Sequence, residues 1–372
     1  MAEREDTLVF IVGAGPSGLA ISACLARKSI LFVIVEKEDC CGSLWKKRTY
    51  DRCHLHLAKE FCSLPFMPHS PETKKYMPKD DFIRYIDDYV SHFNIRPRYG
   101  HSVECAHFNE DEGKWYIEVK TNNMLPSSNN IVTKVFTSTF LVIATGENGK
   151  GFIPDIPGLK DFKGDVIHSN QYKSGLQYAG KQVLVVGCGN SGMEISYDLS
   201  NHEVNTFIVI RSPLHVVTRD MVWVGMHLLK YLSVSAVDFL IKLASYIKYG
   251  DLSKYGIHRP KNGPFSFKAL RGRSPALPAI SRINGTRVVF KDQVEYHFDA
   301  IIFATGYRST ACEWLKDYDF ILDENGFPKN PFPRHWKGKN KLYCAGLSRM
   351  GLHGVSSDAI AIADDIHYLL QN

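Results

Sequence analysis

The chain has 372 residues, of which 44% are hydrophobic and 23% are charged, and its formal net charge is +6. These proportions are those of an ordinary globular protein and exclude a disordered or fibrous chain, and the length suits two domains better than one. The modest positive charge is spread along the chain, which argues against nucleic acid as a partner and is compatible with an anionic cofactor or substrate.

The chain opens with the pattern of a βαβ unit. Residues 7–12 and 31–35 are apolar runs typical of buried strands. Residues 16–27 between them have helical spacing with small side chains, and a glycine-rich turn joins this helix to the first strand. We therefore predict a strand, a glycine loop, a helix and a second strand.

The next part of the chain predicts a loop region and then a second layer of strands. Residues 40–77 show no steady period, whereas a helix pattern begins after Pro78. Between residues 103 and 140 the alternation of apolar and polar side chains, with a polar turn at 124–130, predicts antiparallel strands. A further strand, 140–143, ends in an Ala-Thr-Gly sequence.

The second half repeats this organisation after a Pro- and Gly-rich connection at 149–164. Residues 182–186 begin another strand, glycine loop, helix and strand. Amphipathic helices are predicted within 221–249, where lysines and an aspartate interrupt the apolar run and make it too short for a membrane span. Strands are predicted at 287–290 and 300–304, and the final segment, 342–372, reads as strand, turn and helix.

The spacing of the cysteines and the sequence of residues 1–15 predict the cellular location of the protein and whether it binds a metal. The nine cysteines have neither zinc-type spacing nor a C-x-x-C pair, because Cys40 and Cys41 are adjacent. Reduced thiols and the lack of a signal-peptide pattern at residues 1–15 predict a cytoplasmic protein. Peripheral association with the cytosolic face of the endoplasmic reticulum stays open. We expect no metal site, although His54 and His56 alternate along a strand-like segment.

The first glycine loop, GAGPSG, has the spacing of a dinucleotide-binding turn. Its first glycine permits the tight turn, its second lets the backbone approach a pyrophosphate, and its third lets helix and strand pack closely. A carboxylate, Glu36, follows at the end of the next strand, where it would accept hydrogen bonds from ribose hydroxyls. A carboxylate there favours an unphosphorylated nucleotide such as FAD. The residues predicted to bind it are Gly13, Ala14, Gly15, Pro16, Ser17, Gly18 and Glu36.

The second loop, GCGNSG, has the same pattern with a different ending. The strand after it ends in Arg211 and Ser212 instead of an acid. A guanidinium binds a 2′-phosphate that a carboxylate would repel, so this site favours NADPH. The predicted NADPH residues are Gly187, Cys188, Gly189, Asn190, Ser191, Gly192, Arg211 and Ser212.

These loops predict an α/β fold with two Rossmann-like, doubly wound, three-layer dinucleotide-binding domains, as in FAD/NAD(P)-binding flavoproteins. We predict that residues 1–165 and 300–372 form a discontinuous FAD-binding domain. Residues 166–299 would form an NADPH-binding domain inserted into it.

A third motif lies between the loops and has the pattern F-x-G-x-x-x-H-x-x-x-Y, formed by Phe162, Gly164, His168 and Tyr172. Together with GENGKGFIPDIPGL at 146–159, LHL at 55–57 and FATGY at 303–307, it makes the chain resemble the flavin-containing monooxygenases, and among them the plant YUCCA group. The resemblance covers nearly the whole chain. It implies that Gly42, Ser43, Trp45 and Leu57 also lie beside FAD.

The YUCCA-like resemblance implies oxidative decarboxylation of indole-3-pyruvate to indole-3-acetic acid, the auxin, with NADPH and O2 and through a C4a-(hydro)peroxyflavin. The substrate partner would be a small 2-oxo acid. No spacing rule assigns catalysis to His168, and we favour a role in organising the linker; the catalytic residues stay unassigned. The start of the last helix, 351–358, either faces the flavin or is an ordinary helix start.

Three alternatives to this function stay open: two other activities and an inactive variant. The same cofactors would serve a monooxygenase acting on nitrogen or sulfur atoms of other substrates. A flavin disulfide reductase would need a redox-active cysteine pair, which the spacing does not supply. Finally, the family segment that the resemblance leads us to expect after Pro275 is shortened, with a short helix and a strand missing, so an inactive variant is the third alternative.

Overall fold

The computed structural model describes residues 4–122, 131–210, 213–255, 257–265 and 279–372. The strands within these ranges are β1 (Arg4–Val12), β2 (Phe32–Val35), β3 (His101–Asn109), β4 (Lys114–Asn122), β5 (Ile131–Ile143), β6 (Lys150–Gly151), β7 (Asp165–His168), β8 (Gln182–Val186), β9 (Asn205–Val209), β10 (Ile280–Asn284), β11 (Arg287–Phe290), β12 (Glu295–His297), β13 (Ala300–Phe303), β14 (Tyr307–Arg308) and β15 (Leu342–Cys344).

The described residues contain fewer helices than strands, and in each repeat a helix follows the glycine loop. They are α1 (Pro16–Arg27), α2 (Ser43–Lys47), α3 (Lys79–His92), α4 (Asn190–Ser200), α5 (Arg219–Leu228), α6 (Val234–Tyr249), α7 (Ala311–Trp314) and α8 (Gly351–Gln371). In the described part of the chain, no helix has the length and apolar character required to cross a membrane.

The chain divides into two compact units. The first unit comprises Met1–Arg48, Lys59–Lys150 and Tyr307–Asn372. The second unit comprises Thr49–Ala58 and Gly151–Gly306. The fold class predicted from the sequence is confirmed, since each unit contains a strand, glycine loop, helix and parallel strand.

The first unit is built on a sheet with the strand order β2-β1-β5-β4-β3. Strands β2, β1 and β5 are parallel, and the 13-residue β5 also pairs with two further strands. Its first part pairs antiparallel with β4, and its last residues pair parallel with β15. The predicted antiparallel strands between 103 and 140 are therefore present, whereas the polar turn at 124–130 lies outside the described residues.

Burial along β1 explains its central position. Its first residues are exposed or half-buried, while Val9 to Val12 are buried on both faces, as expected for a central parallel strand. Phe10 packs against Phe136 with a centroid distance of 5.1 Å, within a core that also contains Trp115. Complete burial of each such ring stabilises the unit by about 1.5–3 kcal/mol. The ends of β1 and β5 are thereby held together at the carboxyl edge of the sheet.

The second unit contains a parallel sheet with the order β7-β13-β8-β9 and a separate antiparallel sheet, β10-β11-β12. The predicted strands near 287–290 and 300–304 are both present. Phe298 and Phe303 belong to the buried core between these elements. The shortened segment predicted after Pro275 falls within 266–278, which lies outside the described residues.

The units do not have the boundaries predicted from the sequence. Strand β13, which we placed in the first domain, pairs on one side with β8 and on the other with β7, so all three belong to the second unit. The segment Thr49–Ala58 also joins the second unit, where the Tyr50 hydroxyl donates to Glu194 at 2.7 Å. A parallel strand's neighbours are set by tertiary packing, which local sequence patterns do not report.

Candidate functional site

The first glycine loop joins β1 to α1 in the first unit, and its glycines have different structural roles. Gly13 has φ +108°, and a Cβ added there would lie 2.6 Å from the carbonyl oxygen of Ala144. A Cβ on Gly18 would lie 1.9 Å from the carbonyl oxygen of Gly13. Gly15 differs from both, because an added Cβ would meet nothing within 4 Å. Gly13 and Gly18 are therefore required by the fold, whereas Gly15 leaves space for a ligand.

Glu36 lies at the end of β2 and is 6% exposed. Its carboxylate accepts a hydrogen bond from the backbone N–H of Ala14 at 2.8 Å and another from that of Glu38 at 3.1 Å. Each carboxylate oxygen has two lone pairs, so accepting capacity remains for a ligand. Glu36 thus orders the glycine loop and lines the space beside it.

That space is a cavity of about 410 Å³ in the first unit, within the size range of small-molecule sites. The glycine loop, Glu36, the ATG end of β5 and the start of α8 all contribute to its wall. Helices α1 and α8 both begin at the cavity, α1 with Pro16 and α8 with Gly351. Unpaired N–H groups at a helix N-terminus favour anionic ligands such as a pyrophosphate.

Thr145 supplies an independent sign that a polar ligand belongs in the cavity. Its Oγ1 is buried and has no hydrogen-bond partner within the part of the chain that the structure describes, and the residue lines the cavity. A buried unpaired hydroxyl costs about 1–3 kcal/mol, so such groups are normally satisfied. The open side of Gly15, the accepting capacity of Glu36 and the unsatisfied Thr145 all fit an adenine dinucleotide such as FAD.

The segment around α2 contributes to the same cavity. Gly42, Ser43 and Trp45 line it, and the Gly42 N–H donates to the Ala14 carbonyl at 2.9 Å. The Trp45 ring packs edge-on against Phe82 with a centroid distance of 4.6 Å. Leu57 differs from these residues, because it belongs to the second unit and is not part of the cavity wall.

The second glycine loop repeats the geometry of the first within the second unit. Gly187 has φ +112°, and a Cβ added there would lie 2.5 Å from the Ala304 carbonyl oxygen. A Cβ on Gly192 would lie 2.0 Å from the Gly187 carbonyl oxygen, whereas one on Gly189 would meet nothing within 4 Å. Asn190 and Ser191 begin α4 beside this open position. Arg211 and Ser212, predicted to select NADPH, lie outside the described residues.

Cys188 is half-buried in this loop, and burial raises the pKa of its thiol. Burial likewise raises the pKa of the Cys41 thiol near α2. A thiol with a raised pKa is a poor thiolate source and a poor redox nucleophile. None of the described residues that line the first unit's cavity is a cysteine, and no group of described residues is arranged to hold a metal ion.

The linker motif lies within the second unit, and its histidine is held by backbone groups. His168 is 3% exposed; its Nε2 lies 3.0 Å from the Gly306 carbonyl, and its Nδ1 accepts from the Asn170 N–H at 3.3 Å. Burial lowers the pKa of His168, which favours the neutral ring. This arrangement ties β7 to the Thr305-Gly306 end of β13.

The other members of the motif are also packed into the second unit. Phe162 belongs to its core, and a Cβ on Gly164 would lie 2.2 Å from the Asp299 carbonyl oxygen. The hydroxyl of Tyr172 donates to Asp198 on α4 at 2.6 Å, and burial raises the pKa of Tyr172. The motif therefore connects the linker to the helix that follows the second glycine loop.

Some cavity residues were not among those predicted from the sequence. The structure adds the start of β3 and residues of α7 to the wall, and these come from distant parts of the chain. They are His101, Ser102, Val103 and Glu104 in β3, and Glu313 and Trp314 in α7; Glu147, which follows β5, also lines the cavity. The ATG that ends β5 was the available signal for Thr145, whereas nothing in the local sequence around β3 or α7 indicates a ligand.

Comparisons with known proteins agree with this geometry. A family model described as pyridine nucleotide-disulphide oxidoreductase matches residues 10–236, which is more than half of the chain. A flavin-containing monooxygenase from Stenotrophomonas maltophilia has the same fold, with a TM-score of 0.71, 20% identity and coverage of 98% of this chain and 99% of that one. The fold and the two loops thus define a flavoprotein oxidoreductase with two dinucleotide-binding units.

Relatives of higher sequence identity show to which family of flavoprotein oxidoreductases the chain belongs. The chain is 50% identical over 382 residues to the probable indole-3-pyruvate monooxygenase YUCCA10 of Arabidopsis thaliana, with 98% of both chains covered. It is 41% identical over 389 residues to the indole-3-pyruvate monooxygenase YUCCA1 of Oryza sativa subsp. japonica, covering 98% of this chain and 93% of that one. The chain belongs to the YUCCA family of flavin monooxygenases.

Proposed function

We propose that this chain is an FAD- and NADPH-dependent monooxygenase that converts indole-3-pyruvate to indole-3-acetic acid. In the balanced reaction, indole-3-pyruvate, O2, NADPH and a proton yield indole-3-acetic acid, CO2, water and NADP+. One oxygen atom enters the product, and the other leaves as water with the two electrons of NADPH. This activity would place the chain in auxin biosynthesis.

The cavity of the first unit supports the proposal that the chain is an FAD-dependent oxidoreductase. Gly15 leaves the loop open, Thr145 presents a buried hydroxyl without a partner among the described residues, and Glu36 retains accepting capacity beside both. The choice of indole-3-pyruvate rests on the named relatives, of which YUCCA10 is 50% identical over nearly the full length of both chains. The pyridine nucleotide family model, which matches residues 10–236 and so includes the second glycine loop, supports use of NADPH there.

When bound, FAD supplies the centre that accepts hydride from NADPH and activates O2. The residues of the first unit would bind and orient it. The first residues of α1 and α8 line the cavity, where their N–H groups would favour the pyrophosphate, and the Glu36 carboxylate would accept from ribose hydroxyls. Trp45, packed against Phe82, would cover part of the bound cofactor and exclude water.

In the second unit, the backbone around Gly189 would bind the NADPH pyrophosphate, and Arg211 would select the 2′-phosphate. His168 would act as a positioning residue and not as a proton-transfer group, because both ring nitrogens already contact backbone groups. The first unit would accordingly be the FAD-binding domain and the second the NADPH-binding domain. We also propose a cytoplasmic location, because none of the nine described cysteines forms a disulfide bond.

The reaction is tested on the purified, FAD-loaded chain with NADPH, indole-3-pyruvate and ¹⁸O2. The proposal predicts NADPH oxidation coupled to indole-3-acetic acid, with one labelled oxygen atom in each carboxyl group. Mass spectrometry of the product measures the label. Product without label would exclude oxygen insertion from O2 at the keto carbon.

Parallel reactions separate the alternative activities. Amine and thioether substrates that are oxygenated while indole-3-pyruvate is not would favour a nitrogen- or sulfur-oxygenating enzyme. NADPH oxidation that yields only hydrogen peroxide with every substrate would contradict the proposed substrate. A folded chain that binds no FAD would support the inactive variant, for which the apparent shortening after Pro275 is the sequence argument.

A further inference from the structure

A buried acid–base pair lies behind the cavity of the first unit. His335 and Asp358 are 5% and 2% exposed, and the His335 Nε2 lies 2.8 Å from Asp358 Oδ1. Neither residue lines the cavity, so neither is available to touch a bound cofactor directly. A buried carboxylate is costly unless its oxygens are well paired, so its contacts show what this pair holds in place.

The second oxygen of Asp358 holds the cavity wall. Oδ2 accepts a hydrogen bond from the backbone N–H of Gly346 at 2.9 Å. Gly346 lines the cavity with φ +70°, and a Cβ added there would lie 2.0 Å from Ser17 Oγ in the first turn of α1. Asp358 therefore fixes a backbone segment that fits closely against the first glycine loop.

Asp358 also determines where α8 begins relative to that segment. It lies in α8, and the first turns of this helix supply Gly351, Leu352 and Val355 to the cavity. A single carboxylate thus connects two parts of the wall, the Gly346 backbone and the start of α8. Movement of either part would change the space beside the glycine loop.

His335 completes the arrangement as a donor. Its Nδ1 is buried and has no hydrogen-bond partner among the residues that the structure describes. Because a carboxylate oxygen accepts, the tautomer with a proton on Nε2 is the one that forms the hydrogen bond to Asp358. In that tautomer Nε2–H donates to Asp358 and restrains the carboxylate in the orientation that accepts from Gly346.

We infer that Asp358 and His335 are positioning residues for FAD: they hold Gly346 and the start of α8 against the first glycine loop. This inference rests on the proposed function, because it takes FAD as the ligand of the cavity. Asp358 acts on the cofactor through the Gly346 backbone and α8, and His335 acts through Asp358.

The chain offers a matched control on the same helix. Asp365 lies two turns after Asp358 in α8 and accepts from the Tyr343 hydroxyl at 2.6 Å. Like Asp358, it joins α8 to the segment around β15 and does not line the cavity. Its partner Tyr343 does not line the cavity either, whereas Gly346, the partner of Asp358, does. Asp365→Asn therefore perturbs the packing of α8 while leaving the contact to Gly346 intact.

The experiment titrates apo-protein with FAD and follows the quenching of flavin fluorescence, with the melting temperature of each apo-protein measured alongside. Asp358→Asn is expected to raise the Kd for FAD about ten- to a hundredfold, the effect of losing a charge-assisted hydrogen bond. Asp365→Asn should lower the melting temperature but change the Kd by less than about twofold. His335→Gln, which keeps an N–H donor, should bind FAD better than His335→Ala.

The controls distinguish this inference from the proposed function. Wild-type protein that binds FAD while Asp358→Asn binds it equally well would overturn the inference alone. Equal weakening by Asp358→Asn and Asp365→Asn would also overturn it, because the effect would then be general destabilisation. Wild-type protein that binds no FAD would overturn both. Should Asp358→Asn fail to fold, the ratio of Kd values for His335→Ala and His335→Gln decides the question.

Discussion

Replacing Thr145 with valine should change apo-protein stability and FAD affinity in opposite directions. The buried Oγ1 has no partner among the described residues, so its removal by a side chain of the same shape should raise the free energy of unfolding of apo-protein by about 1–3 kcal/mol. If FAD satisfies this hydroxyl, the variant loses a hydrogen bond worth about 0.5–1.5 kcal/mol, which is roughly a two- to tenfold higher Kd. Chemical denaturation and fluorescence titration measure the two quantities.

Thr121 provides the matched control for this prediction. Its Oγ1 in β4 is also buried without a described partner, but the residue does not line the cavity. Thr121→Val should therefore stabilise the apo-protein and leave the Kd for FAD unchanged. Thr145→Val that binds FAD as tightly as wild type, or equal weakening of FAD binding by both valine variants, would refute a hydrogen bond between Thr145 and FAD.

Three further predictions concern the second unit. Gly189→Ala should fold normally, because the added Cβ meets nothing within 4 Å, but should raise the KM for NADPH while leaving bound FAD unchanged in the absorption spectrum. Arg211→Ala should raise the KM for NADPH far more than that for NADH; steady-state kinetics with both nucleotides check this, and equal effects would remove Arg211 from the 2′-phosphate site. Because burial lowers the pKa of His168, the wild type should lose stability as the pH falls below about 6.5, where the unfolded histidine gains a proton that the folded one resists. Urea unfolding at about pH 7.5 and about pH 5.5 should show a smaller loss for His168→Gln, and an equal loss would contradict this account of the histidine.

The sequence predicted the parts of the site that depend on local geometry. The strands, turns and helices around Gly13–Gly18 and Gly187–Gly192 follow from glycine spacing between an apolar strand and a helix, which is a property of adjacent residues. The position of Glu36 at the end of β2 follows from the same local pattern.

The parts that sequence reasoning missed depend on contacts between distant residues. The wall contributions of β3 and α7, and the contact from Asp358 to Gly346, arise only when β5 pairs with β15 and α8 packs in place. The compact units differ from the predicted domains for a similar reason. β13 resembles a strand of either repeat in sequence, and its pairing with β7 and β8 assigns it to the second unit.

In the proposed function the cavity of the first unit holds FAD, which NADPH reduces. The most direct measurement is the absorption spectrum of the purified chain, recorded before and after anaerobic addition of NADPH. We predict the bands of oxidised flavin, their loss with NADPH, and their return when O2 and indole-3-pyruvate are admitted, together with indole-3-acetic acid. A folded chain that shows no flavin bands even after incubation with FAD, or bound flavin that NADPH does not bleach, would contradict the account.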